Sequence, residues 1–293
     1  MYSLNPTIFL FKNTLYSLVR KETDVKNWNE SILRYELNIL HQKNINIKLK
    51  SFPCSFQVDS NKFKSINRKN MKYPYYGIED IKYAFIKNNK IYGVSNVLIQ
   101  QRPFRKFQVG IIEIDIEDKN LILKKLLEKP NMTNQEKNWT IYSYQNKNYI
   151  ITNLLPKLEI YELTESYELK LIISKRSTYN YNFLTFRLHN NYKSLILTPC
   201  QSLYQIEPNI FLILLKKRLV GNFYEYYIGY FNPKKFQLFL NINRWDRGYK
   251  KYLNSFQIIN NNYYYCFGIQ DMDYKIDQLT FLLKNKTNLK RII

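Results

Sequence analysis

The pair Glu79-Asp80, followed two positions later by Lys82, is the arrangement in this chain best suited to acid–base chemistry. Neighbouring residues at the start of a strand point to opposite faces. One carboxylate can then line an opening while a neighbour holds the other. A carboxyl group in a cleft, beside a second acid and partly removed from water, can serve as a general acid. The same residues also fit an ordinary loop carboxylate that caps the next strand. A second cluster, Glu136-Lys137-Asn138-Trp139, combines an ion pair, an amide and an indole. Sugar sites use that mixture, a flat apolar face for the ring and polar groups for the hydroxyls. Taken alone, the cluster reads equally well as a turn with one buried tryptophan. Asn5, Arg20, Arg102 and Asp271 are the remaining polar candidates. His41 and His189 are the only histidines and stand far apart in sequence, so neither a metal site nor a histidine-based triad is expected.

The elements that must position these residues repeat. A polar cluster, a strand, a tight turn and a second strand recur with cluster starts at Asn5, Gly77, Glu136, Thr198 and Asn254. The turns read KN, NNK, NK, EPN and NNN. Units of this length, each one supersecondary element, point to a propeller or a solenoid. The spacing fits one four-stranded blade plus a connection, and five such units use the whole chain. The expected fold is therefore all-β, a single five-bladed β-propeller over residues 1–293 with a central axial pocket. Blades are expected at roughly 1–50, 51–128, 129–178, 179–240 and 241–293. A β-sandwich with chance turn similarity is the alternative. In a propeller the starts of the innermost strands surround one opening, which would bring the polar clusters together. Most of the chain alternates over short runs, as in Phe107–Ile116. Lys119–Lys129 fits either a short helix or a lysine-edged strand. Asn27–Leu40 could be partly helical. Residues 51–76 read as a long polar excursion between blades.

Composition narrows the function classes. The formal net charge is +22, from 45 Lys and Arg against 23 Asp and Glu. Such a balance can serve polyanions. Here the lysines are spread along the chain in short pairs such as Lys124-Lys125 and Lys234-Lys235, the pattern of solvated hairpin edges. Nucleic acid is therefore not the expected partner. Ala84 is the only alanine, while Asn, Lys, Ile and Tyr abound; AT-rich coding DNA produces that bias. Three cysteines without metal-ligand spacing argue against a disulfide framework and for a reducing, cytoplasmic setting. No signal peptide or membrane-spanning run is read from the sequence. The sequence sets no oligomeric state.

The order of Asn5-Pro6-Thr7-Ile8, Tyr16 to Arg20, Gly77-x-Glu79-Asp80-x-Lys82, Glu136-Lys137-Asn138-Trp139 with Tyr142, Thr198-Pro199-Cys200 and Phe267-Gly268-x-x-Asp271 resembles the five-bladed propeller carbohydrate-active proteins. It is most similar to glycoside hydrolase family 130, the β-mannoside phosphorylases and related mannosidases, and to relatives encoded by giant viruses and some microbes. The resemblance covers nearly the whole chain as short motifs. It implies an oligosaccharide or glycoside as partner, no bound cofactor, and inorganic phosphate as a co-substrate if the reaction is phosphorolysis. In that family the aspartate of a Glu-Asp-Pro-Arg motif protonates the glycosidic oxygen. Carried over, Asp80 is the general acid and Glu79 its neighbour, and Arg20, Lys137 and Asn138 face substrate or phosphate. Four departures stand out. Ile81 replaces the proline. Lys82 replaces the arginine, keeping charge but losing the bidentate fork. Ser194–Thr198 lacks an arginine that the family often has there, and a histidine common after the following strand gives way to the region of Lys216. A catalytically degenerate propeller that binds a glycan or a protein is the competing expectation.

Overall fold

Two-residue turns set the architecture. Lys12-Asn13, Asn88-Asn89 and Gln145-Asn146 all have positive φ, between 46 and 60°. Positive φ at both central residues is the signature of the turn whose twist matches that of the strands it joins. Asparagine tolerates this region better than other non-glycine residues. The computed structural model describes residues 2–22, 33–43, 46–58, 78–100, 106–118, 120–133, 136–154, 157–176, 197–200, 202–218, 223–241, 246–249, 251–259, 262–269, 273–278 and 289–291. Among these residues there are strands and no helix.

The first group is β1 (Tyr2–Phe11), β2 (Thr14–Glu22), β3 (Leu33–Lys43) and β4 (Asn46–Val58). The second is β5 (Ile78–Lys87), β6 (Lys90–Gln100), β7 (Lys106–Asp115) and β8 (Asn120–Leu126). Each is an antiparallel meander, and a two-residue parallel contact of β4 with β8 merges them into one eight-stranded sheet. The third group is β9 (Thr140–Tyr144), β10 (Lys147–Asn153), β11 (Lys157–Leu163) and β12 (Leu169–Arg176). The fourth contains β13 (Leu197–Pro199), β14 (Tyr204–Glu207), β15 (Ile210–Arg218), β16 (Phe223–Asn232), β17 (Gln237–Asn241) and β18 (Asp246–Tyr249). The last is β19 (Lys251–Ile259), β20 (Asn262–Ile269) and β21 (Asp273–Gln278). The C-terminal β22 (Leu289–Arg291) returns to pair with β17 in the fourth group.

Several sequence readings shift here. Residues 120–126 are strand, not helix, and Leu33 to Leu40 lies in β3. The polar stretch after residue 50 begins as strand, because β4 runs to Val58 and so crosses the boundary expected between the first two units. β18 and β22 join the fourth group although the fifth was expected to hold them. Local alternation marks a strand but does not name its partner, and the partner decides which group it enters.

Apolar side chains on both faces of the strands cement neighbouring groups. Phe9 and Leu18 of the first meet Ile81, Val97 and Ile112 of the second. Val109 and Ile111 meet Trp139 and Ile150 of the third. Leu158 and Ile160 meet Phe211, Leu215 and Phe231 of the fourth, and Leu214 and Tyr226 meet Leu253 of the fifth. Central strands such as β7 are thus buried from residue 107 to 114 without alternation, as expected for strands covered on both faces.

Hydrogen bonds complete a circuit through the five groups near their first strands. Tyr83 N–H donates to Thr7 Oγ1 at 3.1 Å. Asn138 N–H donates to Asn96 Oδ1 at 3.1 Å, and Leu203 N–H to Ile141 O at 3.0 Å. The Tyr204 hydroxyl donates to Gln257 Oε1 at 2.8 Å. Ile8 N–H donates to Ser255 Oγ at 2.8 Å and returns the circuit to the first group. Each bond contributes about 1 kcal/mol net.

Gly93 matters to this assembly because a β-carbon there would lie 2.7 Å from Ile81 Cγ2 and 2.9 Å from the Lys82 carbonyl oxygen. The oxygen is backbone and cannot rotate away. Gly93→Ala is expected to cost about 1–3 kcal/mol and to displace β5 at Lys82. Urea unfolding of the two proteins side by side checks it.

Candidate functional site

Three first strands carry a β-bulge where the repeat begins. Pairing slips between Leu4 and Thr7 in β1, between Glu79 and Lys82 in β5, and between Leu253 and Ser255 in β19. A bulge bends the strand and re-aims a side chain. In β5 the re-aimed residue is Asp80, whose φ is 56°. Aspartate tolerates this left-handed conformation at moderate cost, so an observed departure from strand geometry coincides with the candidate acid. Arg20, near the end of β2, meets it: Nη1 donates to Asp80 Oδ1 at 3.0 Å. The guanidinium is nine-tenths buried and the carboxylate is 27% exposed. The pair presents its acidic partner to solvent and its basic partner to the protein.

Lys82, two residues after Asp80, is 4% exposed. Its ammonium donates to Pro199 O at 3.4 Å, from β5 to the fourth group. The Ser202 hydroxyl returns the link by donating to Tyr83 O. Burial drives the Lys82 pKa down to about 7, helped by the Lys216 ammonium and opposed by Cys200 and Asp80. Lysine loses its proton readily when water is withdrawn and a second cation stands near. Burial pushes the Cys200 thiol up to about 12, with Lys216 and Lys82 pulling the other way. Cys200 is thus a packed, unreactive thiol rather than a nucleophile.

The third cluster divides. Asn138, with φ 60°, joins the site through its backbone N–H to Asn96. Asn96 sits opposite Glu79 in the β5–β6 ladder. Trp139 is 2% exposed and packs in the core between the second and third groups. Its indole N–H donates to Glu136 Oε2 at 3.1 Å. Glu136 Oε1 accepts from Thr133 N–H at 2.7 Å, and Lys129 Nζ is 3.6 Å from the other oxygen. Lys137 Nζ lies 3.1 Å from the centre of the Phe107 ring. Trp139 therefore does not offer a ring face to a ligand. It and Glu136 fix the strand start that carries Asn138. Glu136→Ala leaves the indole N–H without its acceptor and is expected to cost about 2–4 kcal/mol, read by thermal unfolding together with near-ultraviolet circular dichroism of the tryptophan band.

Of the other expected site residues, Asn5 and Glu79 lie at bulges of β1 and β5 by backbone position. Arg102 and Asp271 lie outside the described residues. Sequence reasoning missed Asn96 and Ser202. The signal for Asn96 was present: Ser95-Asn96 interrupts the apolar run of β6, and a polar pair inside a buried strand demands partners. Among the described residues no group of three His, Cys, Asp or Glu could hold a metal ion. Among them, too, no helix is long and apolar enough to cross a membrane.

No protein-family model and no curated protein sequence matches the chain. Solved structures do match in shape. A glycosyl hydrolase from Bacteroides ovatus superposes with TM-score 0.59 at 11% identity, covering 100% of this chain and 87% of that one. A structure from a study of glycoside hydrolases within family 130, the mannoside phosphorylases, acting on β-1,2 mannosidic linkages in Candida mannan superposes with TM-score 0.60 at 11% identity, covering 94% and 84%. A family 43 glycoside hydrolase from Xanthomonas citri with xylose bound gives TM-score 0.56 at 10% identity, covering 95% and 88%. Likeness at this identity shows the fold: the chain has the all-β fold of the β-propeller glycosidases.

Proposed function

We propose that this protein is a five-bladed β-propeller with an axial site that acts on a glycosidic bond, with Asp80 as the general acid. The observation that carries the reading is the bulged, left-handed Asp80 held by Arg20 at the first-strand starts. The five antiparallel groups and the hydrogen-bond circuit through them support five blades. The fold shared with glycosidases supports the substrate class. In the proposed reaction Asp80 gives its proton to the glycosidic oxygen, inorganic phosphate or a water that releases a proton to solvent attacks the anomeric carbon from the opposite face, and Asp80 regains a proton from solvent. The C–O bond to the leaving sugar breaks as the new bond forms, so configuration inverts. Arg20 anchors one oxygen of Asp80, and Asn138 and Asn96 hold the neighbouring strand starts in place. The expected substrate is a mannoside. Incubating the protein with β-mannobioses, with and without phosphate, and separating the products tests the reading. Release of mannose or mannose phosphate that depends on Asp80 supports it.

One observation favours a second reading, a propeller that binds a glycan without converting it. Lys82 donates to Pro199 O and Ser202 to Tyr83 O, so the cation two residues from Asp80 is spent on a contact between two groups of strands and is not offered to a substrate. Saturable oligosaccharide binding with no product after prolonged incubation selects that reading over the first.

A further inference from the structure

A cavity lies at the other end of these strands. Asp80 and Asn138 sit at strand starts, whereas this cavity sits where β9 turns into β10, β14 into β15 and β16 into β17. A strand of seven residues or so separates the two ends by roughly 20 Å. The cavity has a volume of about 470 Å³, within the range of small-molecule sites, roughly 300–1,000 Å³.

Its lining is chemically specific. Tyr144 and Tyr149 bring phenols, Gln145 and Asn209 bring amides, Lys234 brings one ammonium, and Phe236 brings an apolar face. Among the described residues no carboxylate lines it. Tyr149 is stacked on the buried Tyr142, with ring centres 5.2 Å apart, so its ring is held rigidly. The Tyr144 hydroxyl donates to Asn209 Oδ1 and ties two of the turns together. Burial raises the Tyr149 pKa, with Glu162 adding to it, so the phenol remains a neutral donor and acceptor near pH 7. A second observation comes from the backbone. Gln145, Asn209 and Phe236 all have positive φ, 50, 60 and 50°. For a bulky aromatic such as Phe236 that conformation is uncommon and costs on the order of 1–3 kcal/mol. The packing of Phe236 against the core between the third and fourth groups maintains it. Strain of this kind collects where a fold presents groups to a ligand.

We propose that this cavity is a carbohydrate-binding subsite that takes one or two pyranose rings, separate from the site at Asp80. Aromatic rings offer flat apolar faces to the C–H groups of a sugar. Amides and phenols, each donor and acceptor at once, match hydroxyls that are also both. The Lys234 ammonium accepts neutral or acidic sugars and disfavours cationic ones. The inference does not depend on catalysis at Asp80, because no residue is shared.

Calorimetric titration of the full chain with mannose, β-mannobiose, cellobiose and glucuronic acid tests it. Asn209→Gly and Gln145→Gly keep the left-handed turns without strain while deleting the amides, and Tyr149→Phe deletes only a hydroxyl. At least one sugar is expected to saturate the wild type and to bind 10-fold or more weakly to both glycine variants, with Asp80→Asn binding as wild type does. Failure of every sugar to saturate overturns the proposal. So does binding whose stoichiometry and affinity are unchanged in all three cavity variants, or binding that is lost altogether with Asp80→Asn. If p-nitrophenol saturates the cavity while no sugar does, the ligand class is wrong.

Discussion

Asp80→Asn is expected to lower turnover of a mannoside by about 10²–10⁴-fold, the range lost when a general acid is removed. The substitution is nearly isosteric, and the amide oxygen can still accept from Arg20 Nη1, now 3.0 Å from Oδ1. What disappears is the proton for the leaving oxygen. The bulge and its left-handed residue should persist, because asparagine adopts that conformation at least as easily as aspartate. Stability should therefore fall by only about 1 kcal/mol, the worth of a partly exposed hydrogen bond from a charged donor. The comparison is informative because the two readouts separate. A folded variant with wild-type turnover removes Asp80 from the chemistry. Substrates with a good leaving group, such as an aryl mannoside, need less proton assistance and should show a smaller loss. An equal loss on both substrates would also count against the role.

Lys82→Met is expected to abolish a pH dependence of stability that the wild type shows above neutrality. An unfolded lysine holds its proton to about pH 10, whereas buried Lys82 gives it up at about 7. Between these limits the unfolded chain binds more protons, so stability rises with pH. Below pH 7 both states are protonated, and the fold bears the full cost of an ammonium that is 4% exposed. The gain from pH 7 to pH 9 amounts to roughly 2–3 kcal/mol. Cys200 acts in the opposite sense at higher pH. Its folded pKa of about 12 lies above that of a free thiol, so the unfolded state deprotonates first and stability falls above about pH 9. Subtracting the urea-denaturation curves of Lys82→Met from those of wild type at pH 6, 7, 8 and 9 isolates the lysine. A difference that stays flat across that range refutes a buried, neutralised Lys82. Methionine has similar length and no charge, so the variant should be at least as stable as wild type at pH 6.

The same position bears on function. If an acidic or phosphorylated group binds beside Lys82, the protonated amine is favoured and binding tightens as pH falls toward 6. A neutral sugar carries no such dependence. A lysine in place of the arginine that the resemblance implies would make anion binding there depend on pH, since a guanidinium stays charged throughout.

Much of the architecture was legible because it is written in short stretches. Lys12-Asn13 and Asn88-Asn89 were visible as turns, and each has the positive φ that such turns require; the third turn was read at Asn146-Lys147 and lies one residue earlier, at Gln145-Asn146. Strand content followed from alternation and from β-branched and aromatic residues. Trp139 illustrates the opposite case. Its neighbours Glu136 and Lys137 made it look like part of a polar binding surface, yet it is core. A tryptophan two residues from a lysine reads the same whether its ring faces solvent or the next sheet. Asn96 was overlooked because its partner, the Asn138 N–H, lies 42 residues away.

By itself the sequence determined the kind of structure: strands rather than helices, hairpins closed by asparagine-rich turns, and one repeating unit along the chain. These depend on contacts within a few residues, where side-chain type and backbone preference decide the outcome. Only the tertiary structure decided that Arg20 holds Asp80 across 60 residues, that Lys82 is buried against a carbonyl 117 residues on, and that β22 completes the fourth group instead of the fifth. Such pairings are chosen by packing among many strands of similar local preference, and that competition is settled only when the apolar faces between neighbouring groups close.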